Sequence, residues 1–111
     1  MELDVRDDGR VTILSLSGDL GIGESESLFK KTVARLIEEG KVNLLVDCSG
    51  LRLVDSTGLG ALVRALTTAQ NEGGQTKLLS VGPHLKKLLE MTKLDSVFEM
   101  HTNREEAVSS F

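Results

Sequence analysis

The stretch "LLVDCSGLRLVDSTGLGALVRAL", Leu44 to Leu66, decides the fold. It begins inside "VNLLVD", Val42 to Asp47, a short and nearly all-apolar run of the kind that fills a strand buried on both faces. It ends with Leu59, Leu62, Val63 and Leu66 at helical spacing. A buried strand feeding a helix is the joint from which α/β sheets are built. At that joint "DSTGLG" places two hydroxyls, Ser56 and Thr57, after an acid and before two glycines.

Working outward, the same alternation continues on both sides. Leu3 to Ser17 reads as a hairpin, with a turn at "DDG", Asp7 to Gly9, and Val11 and Ile13 on one face of the second strand. "GDLGIGES" reads as a loop. From Glu24 to Glu39, Phe29, Val33, Leu36 and Ile37 recur at helical spacing, and Gly40 suits the position after the helix because it tolerates positive φ. Beyond the joint, "QNEGGQ" signals a turn and "TKLLSV", Thr76 to Val81, a strand. Pro83 fits the first turn of a helix with Leu85, Leu88 and Leu89 on its apolar face. "SVFEM" reads as a last short strand, and Asn103 with Glu106 three residues on as the start of a terminal helix. The pattern predicts an α/β domain with a four- to five-stranded mixed sheet, an N-terminal hairpin and about four helices, its later strands parallel and joined by right-handed crossovers.

Composition narrows the function. One domain is expected from 111 residues, and 40% hydrophobic with 27% charged content is ordinary for a globular chain. Three Phe and no Trp or Tyr mean an aliphatic core and no platform for stacking bases. A net charge of −4 argues against a nucleic-acid partner, which would need clustered cations. A single cysteine, Cys48, fits a reducing compartment, and neither a leader pattern nor a membrane-length apolar run is present, so a cytoplasmic protein with no membrane partner is expected.

Catalysis finds little support. His84 and His101 lack the spacing of metal ligands, and Cys48 reads as a small core residue. Gly18, Gly21 and Gly23 superficially match a dinucleotide loop. However, Glu26 stands where the third glycine belongs, and Glu24 and Glu26 would repel a pyrophosphate while suiting the positive end of a helix. Neither a phosphate-binding G-x-x-x-x-G-K-[ST] nor a G-x-S-x-G elbow occurs. The expectation is no enzyme, no cofactor and no metal. For the hydroxyls two compatible readings remain: Ser56 or Thr57 caps the helix, or a hydroxyl exposed at the helix start carries a phosphate that a docked partner does not tolerate.

The whole chain resembles the STAS domain of bacterial anti-sigma factor antagonists, so one STAS domain is expected over residues 1–111. The resemblance lies chiefly in Leu44 to Leu66, where D-S-[ST]-G-[LI]-G opens a helix. It extends to "LSGDL", Leu16 to Leu20, similar to L-x-G-[ED]-L, and to "TKLLSVGPHLKKLLEMTKLDSVFEM". It implies a partner-switching regulator. The unmodified form binds an anti-sigma factor that is also a GHKL-type serine kinase and so frees the sigma factor. Phosphorylation of the motif serine, Ser56 here, breaks the complex, and a PP2C-type phosphatase restores it. The implied partner-binding residues are Asp19, Gly21, Asp55, Ser56, Thr57, Gly58, Leu59 and Gly60, on a chain that is monomeric when free. Gly21 departs from the family pattern, which often has an acid there. The resemblance also admits a different class of function, a stand-alone docking subunit on the ATPase of a lipid-trafficking ABC transporter.

Overall fold

A computed structural model describes all residues from Met1 to Phe111. The elements follow in the order β1 (Glu2–Asp8), β2 (Val11–Leu20), α1 (Glu24–Glu38), β3 (Asn43–Val54), α2 (Ser56–Asn71), β4 (Gln75–Leu79), α3 (Pro83–Met91), β5 (Met100–His101) and α4 (Arg104–Ser109). The five strands form one mixed sheet in sequence order. β1 and β2 are antiparallel across a two-residue turn, Gly9–Arg10, one step later than the sequence suggests. The pairs β2–β3, β3–β4 and β4–β5 are parallel.

The central strands are apolar on both sides because both sides are covered. Leu14, Leu16, Leu44, Val46 and Leu78 join Phe29 and Leu36 of α1, Leu62 and Leu66 of α2, and Leu85 and Leu89 of α3 in the main core. Val11, Ile13, Leu45 and Leu79 form a smaller cluster under Ala107 of α4. Gly40, at φ 82°, ends α1 as expected. Asn103 caps α4 by accepting the Glu106 N–H at 3.0 Å. No helix is long and apolar enough to cross a membrane.

Two expectations need correction. The "GDLGIGES" segment is not all loop: β2 runs to Leu20 because β3 continues to Val54 and pairs with it, through register shifts after Ser15 and Gly18. "SVFEM" is not a strand. Phe98 turns inward as a core plug, 3% exposed, and pairing with β4 is left to Met100 and His101.

Candidate functional site

Where β3 ends, the Asp55 N–H donates to the Leu20 carbonyl at 3.2 Å, tying the strand end to the end of β2. Asp55 is extended (φ −90°, ψ −179°) and is the N-cap of α2. Its Oδ1 accepts the Gly58 N–H at 2.8 Å, while its Oδ2 accepts the Ile22 N–H at 2.9 Å across the β2–α1 loop. The expectation that Ser56 or Thr57 caps the helix is therefore wrong: the acid before them does so. Bonds from the Gly58 amide first, then from Ile22, hold the Asp55 carboxyl below its usual range. Ser56 is left as the first helical residue, exposed, with Thr57 half-buried beside it.

Gly58 and Leu59 do not belong to an exposed face. Both are buried, and a Cβ on Gly58 would lie 2.2 Å from the Leu20 carbonyl oxygen, so the glycine lets α2 start against the β2 backbone. Gly60 is the opposite case. It is exposed and a Cβ there would meet nothing within 4 Å, so packing against the sheet does not explain it.

Gly21 belongs to the Asp55 clasp. A Cβ at 21 would come within 2.5 Å of Asp55 Oδ2, so a side chain there would push the carboxylate away from the Ile22 amide. The Ser25 hydroxyl accepts from the Gly21 N–H at 2.9 Å and donates to its carbonyl at 3.0 Å, fixing the loop from the other side. Asp19 lies just before Leu20 and pairs with Arg52 at 2.6 Å; its other oxygen, Oδ1, is buried without a partner. Glu24 and Glu26 occupy the first turn of α1, as helix-dipole electrostatics favours.

Sequence reasoning missed two features. The first is Ile22, whose amide is pinned by Asp55 while its side chain is 82% exposed. The second is Lys77, a buried cation on β4 that reaches Glu99 at 2.8 Å, the Ser110 carbonyl at 2.8 Å and the Ser110 hydroxyl at 2.9 Å. Led by Lys77 and helped by His101, these contacts lower the Glu99 carboxyl to about 2. Ser110, His101 and Glu99 are not a nucleophilic triad. Both neighbours approach the same ring nitrogen, Nε2, at 3.3 and 2.6 Å, whereas a triad uses the two nitrogens separately. Cys48 is a core residue, its thiol pushed up to about 12 mainly by burial.

The fold and the D-S-T-G joint define a STAS domain, and the chain belongs to that family, whose model matches residues 2–107. It is 25% identical over 108 residues to the anti-sigma-B factor antagonist of Bacillus subtilis, covering 97% of both chains. The crystal structure of TM1081 from Thermotoga maritima, a candidate anti-sigma factor antagonist, superposes with a TM-score of 0.90 at 27% identity, over 97% of this chain and 92% of that one. The Bacillus cell-fate determinant SpoIIAA in its phosphorylated form shares the fold, with a TM-score of 0.80 at 20% identity over 98% of each chain.

Proposed function

We propose that this chain is an anti-sigma factor antagonist switched at Ser56. Unmodified, it binds a GHKL-type anti-sigma factor serine kinase; phosphorylated on Ser56 it releases that kinase, and a PP2C-type phosphatase resets it. The observation that carries the reading is the division of labour at the start of α2. Asp55 caps the helix, so the Ser56 side chain is exposed and not required to hold the turn. A phosphate there adds roughly −1.5 to −2 charges at neutral pH. The positive end of the helix dipole favours that charge in the free domain, while a partner seated over residue 56 meets a bulky dianion. The antagonist relatives and the existence of a phosphorylated SpoIIAA support the same reading.

The test uses the purified chain and each GHKL-class serine kinase of the host, with ATP and magnesium. Mass spectrometry is expected to map one phosphate to Ser56. Ser56→Ala should retain kinase binding and resist modification; Ser56→Asp should lose binding with its melting temperature nearly unchanged. Equal binding by Ser56→Asp and the unsubstituted chain, or a phosphate mapped elsewhere, overturns the proposal.

A further inference from the structure

Between α1 and α2 runs an open groove of about 190 Å³, floored by Phe29, Val33, Ala61 and Ala65 and edged by Lys30 and Arg64. We infer that this groove receives one apolar side chain from a partner segment that also presents a carboxylate to Arg64. The inference rests on the proposed function, because it describes a second contact for the same kinase.

Arg64 links the groove to the switch. Ser56, Gly60 and Arg64 are all exposed and stand four residues apart, which aligns them on one face of α2 over about 12 Å at 1.5 Å per residue. Bare Gly60 lies between the two functional side chains and lets a partner backbone come close without meeting a Cβ. A surface laid along this stripe from Ser56 reaches the groove.

The size and charge of the groove select the occupant. Small-molecule sites run from about 300 to 1,000 Å³, so this groove falls short of one but suits a single large aliphatic or aromatic anchor. Lys30 is already paired with Glu26 at 3.1 Å. Arg64 is the only charged residue of α2 and takes part in none of the chain's ion pairs. An overall acidic protein thus carries one uncommitted cation at the mouth of an apolar groove, which calls for a carboxylate beside the anchor.

The experiment measures calorimetric binding of the kinase that passes the Ser56 test. Ala34→Trp fills the groove from an exposed position on α1, and Arg64→Glu reverses the cation. Each is expected to weaken binding at least about tenfold, while Gln70→Glu, exposed elsewhere on α2, leaves it unchanged. All three should melt like the parent chain; if Ala34→Trp does not, Ala34→Leu takes its place and Arg64→Glu decides. Parent-like affinity in Ala34→Trp and Arg64→Glu, with Ser56→Asp still defective, overturns the groove and spares the switch. If no host kinase binds the parent chain, both fall. Sedimentation showing a dimer that Ala34→Trp dissolves, or native mass spectrometry showing a fatty acid that Ala34→Trp expels, would assign the groove to another occupant and overturn the inference.

Discussion

Two glycines on one helix, two residues apart, should respond to the same substitution with opposite signs. In Gly60→Ala the new methyl meets nothing within 4 Å, so only backbone propensity changes. Alanine is better than glycine inside a helix by up to about 1 kcal/mol, and it also restricts the unfolded chain. For a chain of this length, that gain corresponds to a melting temperature higher by roughly 4 °C. In Gly58→Ala the methyl would sit 2.2 Å from the Leu20 carbonyl oxygen and 2.8 Å from its carbon. Those atoms are backbone and cannot rotate away, so α2 must lift from β2. Overpacking of this kind costs about 1–3 kcal/mol, and the severity of the contact puts it near the upper end. Subtracting at most about 1 kcal/mol for helix propensity leaves a net loss of about 2 kcal/mol. Urea titrations of both variants, with unchanged slope, provide the measurement. A destabilised Gly60→Ala, or a Gly58→Ala as stable as the parent, would refute the placement of α2 against the end of β2. On the proposed function Gly60→Ala has a second consequence: the more stable protein should bind its kinase less well, because the added methyl keeps the partner backbone away.

Further measurements probe the parts that hold the site. Asp55→Ala should speed hydrogen exchange at both the Gly58 and Ile22 amides, since one carboxylate serves both; protection retained at Ile22 would show that the loop stands without the clasp. Because the Asp55 carboxyl is held below its usual range in the fold, its stabilising contribution is complete above the unfolded value and is lost as pH falls through the folded one. Glu99 obeys the same sign, its ordinary value being 4.5 and its folded value about 2, so the Lys77 contact should persist at pH 4.5 and fade toward pH 2. An NMR titration midpoint for Glu99 near its ordinary value would count against the contact, and Lys77→Ala should move the midpoint upward but short of that value, because the His101 contact remains. Cys48, buried with its thiol pushed up to about 12, should react with a maleimide at neutral pH only once the chain is unfolded.

The parts of the fold that were legible beforehand are those in which neighbours along the chain agree. Around the joint, a continuous apolar run gives way to helical spacing at Leu59, and the change of period alone places a strand before a helix. Asn103 and Glu106 carry their cap locally, and Gly40 needs only its own φ. The start of α2 was not legible, because Asp55, Ser56 and Thr57 are all good N-cap residues and the local chemistry does not choose among them. The choice comes from the end of β2: the Leu20 carbonyl takes the Asp55 N–H and the Ile22 amide takes the second carboxylate oxygen. The Lys77 contacts hide for the same reason, joining residues 77 and 101 on two strands with Glu99 just before β5 and Ser110 just after α4. Gly21 shows how a departure from a family pattern gains a local cause once distances are known. Its missing side chain is the room in which the Asp55 carboxylate sits.

That arrangement bears on how a single phosphate could act. Both Asp55 oxygens are committed within the chain, so a dianion on Ser56 would stand beside a fixed negative charge instead of displacing it. The free domain bears this in water, where charges a few ångströms apart interact weakly and the helix dipole offsets part of the cost. A docked partner removes the water and strengthens the repulsion. If the partner brings a carboxylate to Arg64, that acid lies about 12 Å along the helix from residue 56. This is beyond the ~8 Å screening length of open solution at physiological ionic strength, so the phosphate acts on it only where docking has excluded the water between them. An acidic partner is then repelled at its second contact as well as blocked at its first. On this reasoning the phosphorylated chain should regain part of its affinity as salt is raised, whereas the unmodified chain should lose affinity over the same range as its Arg64 contact is screened. Parallel salt dependences of the two forms would mean that the phosphate acts by bulk alone.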